Sequence, residues 1–137
     1  MSKGSSKGTK VIDGLYYTKE HEWAKVEGDL VVVGITDYAQ HALHEITFVE
    51  IMQSGTTLNA GEECGLVESM KASSDVFSPV SGQIVEVNTS LEDSPETVNE
   101  DPYGKGWMYK IRPSNLKADL KKLMDSKAYA SFVASKT

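Results

Sequence analysis

The stretch GLVESMKASSDVFSPVSG, residues 65–82, decides the fold of this chain. It reads as two short runs of strand-forming residues that meet at a single lysine, Lys71. Pro79 and Gly82 predict a turn after the second run. The neighbours of Lys71 are mostly small or polar, so a modifying enzyme could reach the amine. On these residues alone two interpretations stay open, an ordinary solvated lysine on a hairpin and a lysine displayed for covalent modification.

The centre of this hairpin has unusual chemistry for a tight turn. Such turns favour Asn-Gly or Gly-X, and Met70-Lys71 offers neither. Strand propensity alone therefore predicts one continuous strand that runs through Lys71. Evidence for a hairpin must therefore come from the rest of the sequence.

Length and composition favour one globular domain. The chain has 137 residues, of which 39% are hydrophobic and 25% are charged, as in ordinary globular proteins. We predict a single domain over residues 11–137. Residues 1–10 carry no apolar pattern, so we interpret them as a disordered leader or a remnant of an expression vector. No window approaches the roughly 20 apolar residues of a membrane span.

Charge and cysteine content exclude further classes. A net charge of −6 argues against nucleic-acid binding, which needs a basic face, and fits partners that present basic patches. Cys64 is the only cysteine, so no internal disulfide can form and nothing requires an oxidising compartment. We expect Cys64 to be a small apolar residue within a strand.

The apolar pattern predicts a mainly β domain with flanking helices, α+β by content. Short strands separated by turn signals predict a barrel or sandwich core. Besides the lysine hairpin, strands are expected at residues 11–17, 21–26, 30–35, 46–51, 83–87 and 107–112. The run 30–35 is continuously apolar, as in a strand buried on both faces. In the run 107–112, Trp107, Tyr109 and Ile111 are expected to share one face.

Capping signals predict three helices. Thr36 and Asp37 offer the cap of one short internal helix, residues 37–43, with Gln40 placed to reach back to the cap. Two C-terminal helices are expected, from about 116 to 124 and from Asp125 past Val133. Residues 88–106, which hold prolines and acids, are predicted to form a long loop.

Three histidines allow a different functional interpretation. His41 and His44 lie three apart on the predicted internal helix and therefore share a face, as some metal ligands do. Together with His21 they could form the centre of a small metalloenzyme, although no nucleophile–base pair or further ligand cluster supports it. The competing interpretation is two exposed histidines on a helix surface.

Several separate patches resemble one known family. They are His21-Glu22-Trp23, Gly34-Ile35-Thr36-Asp37-Tyr38-Ala39-Gln40, Phe48-Val49-Glu50, Val67-Glu68-Ser69-Met70-Lys71-Ala72-Ser73-Ser74-Asp75 with Ser78-Pro79-Val80-Ser81-Gly82, Val85-Glu86-Val87-Asn88, and Asn99-Glu100-Asp101-Pro102-Tyr103 leading to Gly106-Trp107. In this order, from about Gly14 to Phe132, they resemble the glycine cleavage system H proteins of the biotinyl/lipoyl domain superfamily. The resemblance implies a lipoyl-type flattened β-barrel (a barrel-sandwich hybrid) with the modified lysine at the tip of a tight turn.

The resemblance also implies a non-catalytic carrier. Lipoate would join Lys71 as an amide, which removes a positive charge and adds a long flexible arm. The arm would shuttle the aminomethyl group of glycine from a pyridoxal-phosphate glycine decarboxylase (P protein) to a folate-dependent aminomethyltransferase (T protein). Dihydrolipoyl dehydrogenase (L protein) would reoxidise it, and a lipoate ligase or lipoyltransferase would attach it. The hard chemistry would belong to those enzymes and to the cofactor.

Two acids acquire a role through the same resemblance. Glu22 and Asp75 are expected to line a groove that holds the cationic loaded arm away from bulk water. Two positions depart from the family: a glycine is usual where His44 stands, and a proline common at Ile51-Met52 is missing. The turn after the internal helix is therefore expected to be shaped differently.

Alternatives within the carrier class stay open. Met70-Lys71 resembles the Met-Lys-Met motif of biotinyl carrier domains, although Ala72 replaces the second methionine. A further alternative is an H-like protein that mainly donates lipoate to other lipoyl domains. We expect a monomer that is not secreted, located in the cytoplasm of a bacterial host or the mitochondrial matrix of a eukaryotic one.

Overall fold

The computed structural model of the chain describes residues 9–136, which form nine strands and five helices. The strands are β1 (Tyr16–Tyr17), β2 (Glu22–Glu27), β3 (Leu30–Ile35), β4 (Ile46–Ile51), β5 (Thr57–Leu58), β6 (Glu63–Ser69), β7 (Ser73–Phe77), β8 (Gly82–Val87) and β9 (Tyr109–Pro113). The helices are α1 (Asp37–Leu43), α2 (Ser90–Asp93), α3 (Thr97–Glu100), α4 (Leu116–Leu120) and α5 (Ser126–Ala134). None of the helices in these residues is long and apolar enough to cross a membrane.

Two antiparallel sheets build the domain. One has six strands in the order β1-β2-β3-β9-β8-β5, and the other has three in the order β4-β6-β7. Their strands do not close into a single barrel. Buried side chains from both sheets nevertheless join in one cluster, an arrangement compatible with the flattened barrel-sandwich fold. The lysine hairpin is formed by β6 and β7, in the smaller sheet.

Strand β3 lies between two clusters of buried side chains. Val31 and Val33 belong to the cluster shared by the two sheets, whereas Val32 belongs to a second cluster near α5. In that second cluster the rings of Tyr17 and Tyr129 stack with centroids 4.4 Å apart. Each such buried side chain contributes roughly 1.5–3 kcal/mol. The continuous apolar run of β3 is thus explained, as predicted, by burial on both faces.

Helix α1 has the predicted bounds because its cap is encoded locally. Thr36 is the N-cap, and its Oγ1 accepts a hydrogen bond from the Ala39 N–H at 3.2 Å. Gln40 Nε2 donates to Asp37 Oδ1 at 2.9 Å, which ties the first turn together. The helix therefore starts where the sequence places it.

Several elements differ from the sequence-based expectation. Strand β1 is limited to Tyr16–Tyr17, and α4 ends at Leu120. The segment 88–106, predicted to be a loop, contains α2 and α3. Neither helix has a side-chain capping hydrogen bond at its N-cap, and one turn is too short to show a helical period. The two expected C-terminal helices, α4 and α5, are both present.

Of the leader predicted at residues 1–10, residues 1–8 lie outside the described residues. Lys10 is described, and both of its backbone groups are bound. Its N–H donates to Asp37 Oδ2 at 2.7 Å, and its carbonyl accepts from the Tyr103 hydroxyl at 2.6 Å. The chain at Lys10 is thereby attached to the first turn of α1.

The turn after α1 keeps a backbone conformation suited to glycine. His44 has φ 65° and ψ −149°, where a side chain costs on the order of 1–3 kcal/mol.

We expect His44→Gly to raise the free energy of unfolding by about 1 kcal/mol, because the exposed imidazole contributes little and the strain disappears. Urea denaturation measures this. His41→Gly, inside the same helix, is the control and should destabilise by about 1 kcal/mol. Equal destabilisation by both changes would contradict the strain at His44.

Candidate functional site

The turn that carries Lys71 is closed by the side chain of Ser69. The Ser69 N–H donates to the Ala72 carbonyl at 2.8 Å. The Ser69 hydroxyl oxygen accepts from the N–H groups of Lys71 at 3.2 Å and Ala72 at 3.1 Å. The Ser69 side chain thus stabilises the turn by hydrogen bonds to its backbone, although the turn lacks the Asn-Gly sequence that usually favours one. The hairpin is therefore real, and the continuous strand predicted by propensity alone is wrong.

Lys71 and its neighbours are exposed at this tip. The Met70 side chain is 90% exposed, and Lys71 to Asp75 are all exposed. Lys71 Nζ donates one long hydrogen bond, 3.4 Å, to the Ala42 carbonyl in the last turn of α1. The ion pairs among the described residues, Lys25–Glu27 and Lys110–Glu86, do not involve it. An enzyme can therefore approach the amine without breaking a salt bridge.

A small cleft lies beside the hairpin, between α1 and β7. Its volume is about 20 Å³. It brings together Glu22 and Asp75, the two acids that the family resemblance selects. The residues that line it are Glu20, Glu22, Ile35, Ala39, Leu43, Val67, Ser74, Asp75 and Val76. The cleft thus has apolar lining from α1 and β6, and three acids, Glu20, Glu22 and Asp75, also contribute to its lining.

Glu22 is buried although it is an acid on a strand. Its side chain is only 1% exposed, and both carboxylate oxygens are bound. The Thr18 hydroxyl donates to Oε1, and the Phe77 N–H donates to Oε2 at 3.0 Å. Burial raises the pKa of Glu22 to about 7, against the lowering effect of these donors, and Glu20 adds a repulsive charge. Glu22 is therefore poised to change charge near neutral pH.

Asp75 has a different environment from Glu22. It lies on β7 opposite Leu66 of β6 and is exposed to solvent. Glu20 and Glu22 also line a second, larger cavity of about 290 Å³ that extends past Thr18 and Phe77 to Lys122. Glu22 therefore lies between two cavities, with Asp75 at the outer edge of the smaller one.

The three histidines do not gather around a common point. His21 Nδ1 lies 2.8 Å from the Tyr129 hydroxyl, and its ring packs against Tyr38. Burial, with a smaller effect from Lys136, lowers the pKa of His21 to about 4. His41 and His44 are exposed on α1 and its C-cap. No group of three or more His, Cys, Asp or Glu residues in the part of the chain described here could hold a metal ion.

Cys64 occupies the strand position expected of it. It is fully buried in β6, and its Sγ donates to the Tyr109 hydroxyl at 3.4 Å. That hydroxyl in turn donates to Ser78 Oγ at 3.0 Å. Burial raises the pKa of the Cys64 thiol to about 12, so it is an inert core residue.

Two contributors to this site were not predicted from the sequence. Thr18, which bonds both the N–H and the carboxylate of Glu22, was not singled out. Its position four residues before a strand acid is the signal that could have found it. The Ala42 carbonyl, which accepts from Lys71, is a backbone group and leaves no mark in the sequence.

An exposed lysine on a hydrogen-bonded hairpin tip, next to a small cleft, is the arrangement that a non-catalytic carrier domain needs. The comparisons with known proteins agree. A family model described as Glycine cleavage H-protein matches residues 15–136. The chain belongs to the glycine cleavage H-protein family, whose members are the lipoyl carriers of the glycine cleavage system and not its catalysts.

Individual relatives match this chain over most of its length and most of theirs. It is 56% identical over 115 residues to a "Glycine cleavage system H protein" of Acinetobacter baumannii, covering 84% of this chain and 92% of the relative. It is 56% identical over 127 residues to a "Probable glycine cleavage system H protein" of Pyrococcus abyssi, covering 92% and 94%. A crystal structure of a glycine cleavage system H protein from Mycobacterium marinum matches with a TM-score of 0.81 and 42% identity, covering 88% of this chain and 97% of that one. The predicted fold class and carrier function are confirmed.

Proposed function

We propose that Lys71 is the residue of this carrier that holds the lipoyl group. The observation that carries the proposal is the exposed position of Lys71 on a turn fixed by Ser69. Membership of the H-protein family supplies the cofactor class. The amine has one long contact, to Ala42, so acylation would displace little.

The attachment step makes simple demands on this chain. The uncharged amine of Lys71 attacks the carbonyl of an activated lipoyl ester, such as a mixed anhydride or thioester. The C–N bond forms, the bond to the leaving group breaks, and the amine gives up a proton. The small residues Ala72 and Ser73 next to Lys71 leave room for the attaching enzyme. Because the amide is neutral, the attraction of Nζ to the Ala42 carbonyl at the end of α1 is lost.

The partners follow from this role. When bound, the lipoyl group supplies a dithiolane that accepts the aminomethyl group of glycine and is later reoxidised. We propose as partners the glycine decarboxylase (P protein), the aminomethyltransferase (T protein), the dihydrolipoyl dehydrogenase (L protein) and a lipoate ligase or lipoyltransferase. The chain's own task is to present the arm from a fixed tip, which raises its effective concentration at each partner.

The cleft between α1 and β7 is proposed to receive the loaded arm. Glu22 would face the cationic amine from inside the cleft, and Asp75 would face it from the edge. The cleft volume, about 20 Å³, leaves room for about one water molecule. The arm can therefore enter only if a wall, such as α1, shifts outward.

We propose a monomer in the cytoplasm, because the relatives compared here are bacterial and archaeal. A carrier that must visit several enzymes in turn is most simply monomeric. The net charge of −6 favours partner surfaces with basic patches. Size-exclusion chromatography with light scattering would test the oligomeric state.

Reconstitution with a purified glycine decarboxylase tests the proposed function. We expect the lipoylated chain to support release of CO₂ from glycine and to gain an aminomethyl group, and the unmodified chain to support neither. The biotinylated chain is the control for a general effect of acylation at Lys71. A chain that accepts only biotin, or a lipoylated chain that never supports decarboxylation, would contradict the proposal.

A further inference from the structure

Asn99 makes three side-chain hydrogen bonds around the end of α1. Its Nδ2 donates to Gln40 Oε1 at 2.8 Å and to the His44 carbonyl at 2.8 Å. Its Oδ1 accepts from the Ile46 N–H at 2.9 Å. Both donors and the acceptor are thus used, on groups that lie 53 to 59 residues away in sequence. One side chain in α3 therefore fixes α1, its C-cap and the start of β4 relative to one another.

Helix α1 forms one wall of the cleft next to Lys71. Ala39 and Leu43 of this helix line the cleft, as Asp75 of β7 does. Ala42, in its last turn, accepts the hydrogen bond from Lys71 Nζ. The position of α1 therefore sets both the width of the cleft and the distance between its wall and the lysine.

Apart from the burial of Leu43 in the cluster shared by the two sheets, the C-terminal half of α1 is held mainly by hydrogen bonds. The helix has seven residues, too few for a helix to be stable by itself. Thr36 caps its N-terminus, but its C-terminus ends at His44, whose backbone is strained. The two hydrogen bonds donated by Asn99 act on the carbonyl of the C-cap residue His44 and on the half-buried side chain of Gln40.

We propose that Asn99 is a positioning residue for the loaded arm, because it holds α1 as the wall of the cleft. This inference rests on the proposed function of the cleft. Without the two bonds donated by Asn99, the last turn of α1 opens more often and admits water to the cleft. The loaded arm then meets water, and the aminomethyl group is lost as formaldehyde and ammonium, with the thiol restored (R–S–CH₂–NH₃⁺ + H₂O → R–SH + CH₂O + NH₄⁺).

Asn88 provides a matched control in the same segment of the chain. Its Nδ2 donates to the carbonyls of Lys105 at 3.0 Å and Trp107 at 2.7 Å, and its Oδ1 accepts from the Ser90 hydroxyl at 2.7 Å. Asn88→Ala therefore removes the same kinds of bond as Asn99→Ala without touching α1. Asn99→Asp is a second variant, which keeps the acceptor for Ile46 and replaces the two donated bonds by a carboxylate oxygen that faces two acceptor oxygens. It also keeps the test open if Asn99→Ala fails to fold.

The first measurement uses the chain without its arm. Hydrogen exchange at the amides of Ala42 and Leu43 is expected to be about tenfold faster in both Asn99 variants than in wild type, since two hydrogen bonds no longer resist opening. Asn88→Ala should leave these amides within about twofold of wild type. Exchange that is unchanged in the Asn99 variants, or equally faster in Asn88→Ala, would overturn the proposal.

The second measurement follows the loaded arm by intact mass. The reduced lipoylated protein is loaded with formaldehyde and ammonia, and loss of the aminomethyl mass is timed. We expect loss about tenfold faster in the Asn99 variants, whereas Asn88→Ala should behave as wild type. Unchanged loss in the Asn99 variants would overturn the role of Asn99. If wild type protects no better than loaded free lipoamide, the proposed function of the cleft itself fails.

Discussion

A Lys71→Arg variant is expected to gain no mass when incubated with lipoate, ATP and a lipoate ligase, whereas the wild-type chain gains one lipoyl group. Arginine preserves the charge and approximate length of the side chain, so the hairpin should fold unchanged. Its guanidinium cannot be deprotonated in a protein and therefore cannot attack an activated acyl group. Intact mass spectrometry measures the outcome directly. The expected effect is complete loss of modification rather than a change in rate.

Lys127→Arg is the matched control for this variant. Lys127 is also an exposed lysine, but it lies on α5, away from the hairpin. We expect this variant to be lipoylated like wild type. Lipoylation of Lys71→Arg would move the attachment site to another lysine and would refute the assignment. A mass shift of biotin size, in the presence of both acids and both ligases, would favour the biotinyl alternative.

The elements with local signals could be predicted to the residue. Strand β3 is a run of β-branched residues between a Gly28-Asp29 turn and the Thr36 cap, and α1 begins at that cap. Their bounds at 30–35 and 37–43 depend on the chain's immediate neighbours and not on distant contacts. The same is true of α5, where Asp125 caps the helix by accepting from the Ala128 N–H at 2.8 Å.

The strand at 107–112 shows where a local pattern misleads. Its alternation predicted that Trp107, Tyr109 and Ile111 share one face. Tyr109 and Ile111 are indeed buried together in the cluster shared by the two sheets, but β9 begins only at Tyr109. Met108, whose N–H donates to the Val33 carbonyl at 2.8 Å, is fully buried in that same cluster. Trp107 packs against the second cluster. The pairing with β3 decides this register, and the pairing partner is about 75 residues away in sequence.

The centre of the site depends on side-chain chemistry that propensity scales omit. At the tip, one hydroxyl on Ser69 closes a turn for which Met70-Lys71 has no intrinsic preference. Glu22 reads as an exposed strand acid, yet a donor four residues earlier and a strand 55 residues later enclose it. Family resemblance selected Glu22 and Asp75, but their common cleft became visible only with β2, β7 and α1 in place.

Glu22→Gln is expected to stabilise the protein at pH 8 and to have little effect at pH 4.5. The pKa of Glu22 is about 7 in the folded protein, above the ordinary value near 4.5, so the folded state binds this proton more tightly than the unfolded state. Its stabilising effect is complete below about pH 4.5 and is lost as the pH rises through 7. The loss is on the order of 2–3 kcal/mol. Glutamine keeps the shape and the acceptor for the Phe77 N–H without a titrating group.

Urea denaturation at several pH values tests this. The variant-minus-wild-type difference in the free energy of unfolding should rise between pH 4.5 and 7 and then level off. Taking the difference cancels the opposite effect of His21, whose lowered pKa removes stability as the pH falls. Glu27→Gln, at the exposed end of the same strand, is the control: it removes only a surface ion pair with Lys25 and should change the free energy of unfolding by less than about 1 kcal/mol. A flat difference for Glu22→Gln would show that Glu22 does not titrate near neutral pH.

The same variant separates the charge of Glu22 from its structural role at the cleft. Above pH 7 the wild-type carboxylate is ionised and attracts the cationic loaded arm. Because the arm's positive charge itself lowers the pKa of Glu22 below its value in the unloaded protein, the carboxyl resembles glutamine only at lower pH. The ratio of aminomethyl loss rates, variant over wild type, should therefore be about 5–10 at pH 8 and fall toward 1 near pH 5. A ratio that exceeds 1 equally at both pH values would indicate that glutamine disturbs the cleft wall. A ratio of 1 at both would remove Glu22 from the proposed groove and leave Asp75 as its candidate carboxylate.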